Sequence, residues 1–280
     1  MKIGIVGLGL MGGSLALDLR ALGHEILGVS RQSATCEQAI AQGVVTAAST
    51  ELSLLAEAEV IFLCTPLAAL TATVEQLLPH LKPETILTDV GSVKVPVVEA
   101  IAPRWQNFVG GHPMAGTDKS GLAAASRHLF AGRPYVLTPI ETTPESALQT
   151  VTTIVRQLNV FLHISSPQDH DRAVAWISHL PVMVSAGLIA ACGQEPDAQI
   201  LKLAQSIASS GFRDTSRVGG GNPELGVMMA RYNRAELLRT LVAYRQQLDE
   251  LMALIEQQDW ETLEQYLQRT QQDRPDFLSK

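Results

Sequence analysis

The residues best suited to chemistry are His112 and Ser92, each beside a glycine turn. His112 stands in Gly110-Gly111-His112-Pro113-Met114-Ala115-Gly116-Thr117, and Ser92 in Asp89-Val90-Gly91-Ser92-Val93-Lys94. Imidazole titrates near neutrality, so His112 can take the proton of an alcohol while hydride leaves the adjoining carbon. Ser92 can hydrogen-bond that ring and the alcohol, or it can cap the helix that follows. Lys94 reads as no more than a solvated charge. A second group lies far along the chain: His179 in Ser178-His179-Leu180-Pro181, and Arg217 at the end of Phe212-Arg213-Asp214-Thr215-Ser216-Arg217. Arg217 precedes a glycine-rich loop, so its guanidinium is placed either to hold an anionic substrate in bidentate fashion or to form a surface salt bridge. His24, His80, His128, His163 and His170 sit beside helix ends or in polar stretches and read as surface.

These residues need a scaffold that brings distant segments together, and the N-terminus supplies one. Residues 2–6 read as a buried strand, 12–22 as a helix and 25–30 as a second strand, with Gly7, Gly9 and Gly12 between the first two. Strand, glycine turn, helix and strand in that order form the opening unit of a parallel, Rossmann-type sheet. Gly7 permits the tight turn, Gly9 lets backbone approach a pyrophosphate, and Gly12 lets helix and strand pack closely. Leu10 and Met11 lie between the second and third glycines, at the helix start that would receive the phosphates. The second strand ends in Ser30-Arg31, where an NAD-binding chain usually carries Asp or Glu. Arg31 is a permanent cation suited to a 2′-phosphate, so this stretch reads in favour of NADP and against NAD. The alternative is a solvated Arg31 and a site that accepts either cofactor.

Further strands are expected over 59–64, 85–89, 107–110, 133–138 and 160–165, with helices over 67–78, 94–102, 117–128 and 144–158. In such a sheet ligands bind beyond the carboxyl ends of the strands. Cys64-Thr65-Pro66, the Ser92 turn and the His112 turn all fall there, with Thr117 closing the last as a substrate contact. From about residue 165 no strand pattern reappears. We therefore expect an α/β dinucleotide-binding domain over 1–165 and an all-helical substrate and dimerisation domain over 166–280. Leu237, Leu241, Tyr244, Leu248, Leu251 and Ile255 form a 4-3-4-3-4 seam, buried either within the chain or against a second copy.

The net charge of −7 argues against a nucleic-acid partner or a basic membrane-surface role. No apolar run is expected to be long enough to span a bilayer; the nearest, Leu180 to Cys192, contains Pro181, Ser185 and Gly187. Three dispersed cysteines without a CxxC pair give no thiolate metal site and no disulfide framework, and fit a reducing cytoplasm.

GLGLMGGS, GSVK, GGHPMAG, SHLP and FRDTSR follow one another in an order that resembles the prephenate/arogenate dehydrogenase family. The likeness covers about residues 1–270. It implies oxidative decarboxylation of a cyclohexadienyl substrate: hydride passes to the nicotinamide, the ring carboxylate leaves as CO₂, and the ring becomes aromatic. By the same resemblance His112 is the base, Ser92 orients the hydroxyl, Arg217 holds a carboxylate and His179 positions the substrate. Arogenate is the expected substrate and prephenate the close alternative, in a homodimeric enzyme. Gly226 departs from the family pattern, which often places an aromatic residue there. A β-hydroxyacid dehydrogenase or imino-acid reductase would share the opening unit but would be expected to place a catalytic Lys in the second domain; the only one in its core, Lys202, has no motif around it.

Overall fold

The computed structural model describes residues 1–117 and 119–278. Among the described residues, eight strands form one sheet in the order β3-β2-β1-β4-β5-β6-β7-β8. They are β1 (Lys2–Val6), β2 (Glu25–Val29), β3 (Ala47–Ser49), β4 (Val60–Leu63), β5 (Ile86–Asp89), β6 (Phe108–Pro113), β7 (Pro134–Thr138) and β8 (Phe161–Ile164). The first six run parallel, β7 pairs antiparallel to β6, and β8 returns parallel to β7. Strand alternation divides the core. Ile3, Ile5, Val60 and Phe62 pack on one face, while Val6, Ile61 and Leu63 pack on the other. With both faces covered, the strands can be continuously apolar, which is why β1 and β4 are legible in the sequence.

The helices of this region are α1 (Leu10–Ala21), α2 (Ser33–Ala41), α3 (Leu67–Leu77), α4 (Val95–Ile101) and α5 (Glu145–Arg156). The helix expected over 117–128 does not form. The described residues there run as loop with one short 3₁₀ turn at Leu122–Ala124, and Asp118 lies outside the described residues. Gly121 has a left-handed φ of 80°, which interrupts a helix at that point.

Beyond β8 the chain is helical: α6 (Pro167–Val174), α7 (Leu180–Gly193), α8 (Ala198–Ile207), α9 (Ser210–Ser216), α10 (Pro223–Tyr232), α11 (Arg234–Glu256) and α12 (Trp260–Asp273). A π-helical turn at Ala175–His179 joins α6 to α7 just ahead of Pro181. Proline has no N–H to continue the ladder, and the wider turn absorbs that loss without breaking the rod. The combined helix, Pro167–Gly193, is long and apolar enough to cross a bilayer by length and composition, so the expectation that no run approaches that length needs correction. Its first turns carry His170 and Asp171, which are bonded to the sheet domain.

Two compact units emerge, Met1–Asn233 and Arg234–Lys280. In the second, α11 and α12 pack together, with Asp259 capping α12 through the Thr262 N–H. Along the α11 seam Leu237 is buried, whereas Leu248 and Ile255 are exposed.

Candidate active site

The glycine turn behaves as its spacing requires. Gly7 has φ +100°, and a Cβ there would stand 2.6 Å from the Cys64 carbonyl oxygen. A Cβ on Gly12 would meet the Gly7 oxygen at 2.0 Å, so only glycine lets α1 start this close to β1. Gly9 faces open space. Beyond it lies a crevice of about 630 Å³, lined by Gly7, Gly9, Ser30, Arg31, Cys64, Thr65 and Pro66 among others. Leu10 and Met11 sit in the first turn of α1 and are not among the lining residues. Thr65 Oγ1 is buried in that wall with no partner. An open glycine, a free helix N-terminus and an unpaired hydroxyl are the features a dinucleotide would use.

His112, 8 % exposed, comes from near the carboxyl end of β6, with Lys94 and Asp89 close by. Lys94 is completely buried. Its ammonium is paired with Asp89 Oδ2 and donates to the Gly111 carbonyl at 2.7 Å. Asp89 in turn accepts from the N–H groups of Gly91 and Gly111. Lys94 is therefore not the solvated charge expected from the sequence: its alkyl stem carries the ammonium to a carboxylate inside the fold. Burial lowers the Lys94 pKa, and the Asp89 charge opposes that shift.

His170 corrects a second expectation. It is buried, not on the surface, and its Nε2 lies 2.8 Å from His112 Nδ1. Its Nδ1 lies 2.7 Å from Asp171 Oδ1. The Asp171 carboxylate also receives the N–H groups of Lys94 (2.6 Å) and Val95 (2.8 Å), which open α4. A side chain from α6 thus caps a helix of the sheet domain and fixes His170 in the same contact. A signal existed: Pro167, His170, Asp171 and Val174 are the buried residues of α6, spaced i, i+3, i+4, i+7.

Ser92 is half-buried and makes no hydrogen bond to His112; nor does it cap α4, whose N-cap is Lys94. His179 projects from the π turn, fully buried, with Nδ1 3.2 Å from Asn233 Nδ2 and Nε2 without a partner. Asn233, which sequence reasoning passed over, also donates to the Asp171 carbonyl at 2.8 Å. Arg217 begins the 3₁₀ turn Arg217–Gly220. That turn is seated on α7, because a Cβ on Gly219 would stand 2.3 Å from the Ala186 nitrogen. Thr117 is exposed in the loop after β6. Gly226 lies on α10, where an added Cβ would stand 3.8 Å from Val182 and 3.9 Å from Met183, so the α7 wall opposite it is apolar.

Burial first, then the neighbouring His170, Lys94 and His179, hold His112 well below the usual histidine range. The ring is therefore neutral and available as a base at pH 7. Burial also pushes His179 down to about 4, against the opposing pull of Asp171. The folded state thus refuses a proton that the unfolded chain accepts below about pH 6.5. The His179 contribution to stability is expected to be full above that value and to fall by roughly 3 kcal/mol as the pH drops to about 4, and buried His112 adds a loss in the same direction. Urea unfolding across this interval checks it. His179→Leu should remove the His179 share and leave that of His112; an unchanged slope would contradict the assignment.

A Rossmann-type sheet, a glycine-lined dinucleotide crevice and a neutral buried histidine at the strand ends define a nicotinamide-dependent dehydrogenase. Residues 15–163 match the prephenate dehydrogenase nucleotide-binding domain, and residues 166–269 match the prephenate dehydrogenase dimerization domain. The chain belongs to the prephenate dehydrogenase family. It is 55 % identical to a Synechocystis arogenate dehydrogenase of known structure, with TM-score 0.91 and coverage of 99 % of this chain and 100 % of the other. It is 26 % identical to the Aquifex aeolicus prephenate dehydrogenase solved with hydroxyphenyl propionate and NAD⁺, with TM-score 0.92 over 99 % and 98 % of the chains. A Bacillus subtilis prephenate dehydrogenase is 32 % identical over 98 % of this chain and 75 % of its own length.

The A. aeolicus complex overturns the expectation that NAD is disfavoured, because the same fold there holds NAD⁺. The physical reason lies in what the missing carboxylate does. An acid at the end of β2 would repel a 2′-phosphate; its absence removes that repulsion but leaves the ribose hydroxyls of NAD⁺ a partner in Ser30. Arg31 is exposed and lines the crevice.

Proposed function

We propose that this protein oxidatively decarboxylates arogenate to tyrosine with a nicotinamide dinucleotide, NAD⁺ included. The observation that carries the reading is the buried hydrogen-bonded run His112–His170–Asp171, which starts near the carboxyl end of β6. The Gly7–Gly12 turn and the Ser30 and Thr65 edges would hold the dinucleotide, which would supply the hydride acceptor. His112 takes the substrate hydroxyl proton at Nε2, the nitrogen that His170 leaves free. Loss of hydride from that carbon and of the opposite carboxylate as CO₂ makes the ring aromatic. The proton then returns to the same oxygen, so atoms and charge balance. His179, with a buried unpaired ring nitrogen, offers the substrate a hydrogen bond, and Arg217 holds a carboxylate. Ser92 orients the hydroxyl once substrate is bound, and Thr117 contributes at the rim.

The high identity to an arogenate dehydrogenase favours arogenate over prephenate. Steady-state kcat/KM for the two substrates tests this, with a clear preference for arogenate expected. Equal or better use of prephenate would reverse the substrate assignment and leave the chemistry in place. The family matches end at 163 and resume at 166, which supports a domain junction near 165. We place the enzyme in a reducing cytoplasm, where its three free cysteines need no partners, and as a homodimer through the helical domain, whose exposed Leu248, Met252 and Ile255 suit a second copy.

A further inference from the structure

His112 and His179 come from different elements, yet both are tied to Asp171. Both oxygens of its carboxylate already receive backbone N–H groups, from Lys94 and Val95, so the carboxylate acts as acceptor. His170 must then donate to it from Nδ1. In a neutral His170 this leaves Nε2 as a lone pair facing His112. His112 therefore carries its hydrogen on Nδ1 and presents a bare Nε2. The backbone carbonyl of Asp171 works on the other ring. A carbonyl can only accept, so the atom of Asn233 beside it is the NH₂ group. The second hydrogen of that group points to His179 Nδ1. His179 then carries its hydrogen on Nε2, the buried atom without a partner.

We propose that His170, Asp171 and Asn233 are positioning residues that preset the two buried histidines in opposite tautomers, His112 accepting through Nε2 and His179 donating through Nε2. The inference rests on His112 being the base, and it explains how that base is ready before substrate arrives. A substrate with a hydroxyl at one end and an acceptor at the other meets both rings in the correct state, at no cost of proton rearrangement. The wrong tautomer of a catalytic imidazole is costly in rate.

¹⁵N NMR of the histidine-labelled full-length enzyme at neutral pH tests the proposal, with the rings assigned through His112→Asn and His179→Asn. The expected spectrum has His112 protonated at Nδ1 and His179 at Nε2. His170→Phe removes the acceptor and should lower kcat at least ~10-fold, with KM and dinucleotide affinity unchanged. His170→Gln keeps an acceptor oxygen and should recover a large part of that loss. Asn233→Asp should reverse His179 alone and act on KM. A wild-type His112 protonated at Nε2 would overturn the proposal even if a variant failed to fold, and so would full turnover in His170→Phe. Correct tautomers combined with normal turnover in His112→Asn would instead sink the base assignment and leave the tautomer wiring intact.

Discussion

Replacing His112 by Asn is expected to lower turnover by at least ~10²-fold while dinucleotide affinity stays unchanged. The two readouts separate because His112 is not among the residues that line the crevice. Asparagine keeps a polar group of similar reach that can still bond His170, so the fold has little reason to change. It cannot take a proton, and the hydroxyl must then lose hydride without a base. A ~10²-fold loss corresponds to about 2.7 kcal/mol of transition-state stabilisation, within the range of a single positioned base. Stopped-flow turnover together with a fluorescence titration of the dinucleotide gives both numbers. A variant that turns over at near-normal rate would remove His112 from the mechanism; one that loses dinucleotide binding as well would show that the two regions are not independent.

The second large effect is on stability. Lys94→Met keeps the length and apolar character of the stem but removes the charge that faces Asp89. Asp89 then remains fully buried with only the Gly91 and Gly111 N–H groups to stabilise it. Breaking a buried pair from one side typically costs about 3–5 kcal/mol, because the remaining charge is left in a poor solvent. The Gly111 carbonyl also loses its donor, one residue before the proposed base. Lys94→Met is therefore expected to unfold at markedly lower urea, compared at equal protein concentration because a dimer's stability depends on it. A loss under about 1 kcal/mol would mean that the pair is marginal, as buried pairs sometimes are.

Much of this arrangement is legible in the sequence, for identifiable reasons. Gly7 and Gly12 are required by a positive φ and by close backbone approach to Cys64 and Gly7, Gly9 leaves the turn open, and the apolar runs of β1 and β4 follow from burial on both faces. His112 stands out because glycines on one side and Pro113 on the other mark a strand end. His170 does not, because Gln168, Asp169, Asp171 and Arg172 surround it with polar residues. Only the helical spacing Pro167, His170, Asp171, Val174 shows that two of these polar residues face inward. Lys94 and Asp89 are obscured by a similar cause: burial of a charge depends on a partner that the local sequence does not reveal. The helix expected over 117–128 fails at Gly121, whose positive φ belongs to a loop. Cofactor preference misleads because a missing carboxylate resembles selection for phosphate, when it only removes a repulsion.

Oxidative decarboxylation is tested by following reduced-nicotinamide absorbance and CO₂ release together, with purified enzyme, arogenate and dinucleotide. One CO₂ and one tyrosine are expected for each nicotinamide reduced. Reduction without CO₂, or no reduction while dinucleotide binds normally, would contradict it.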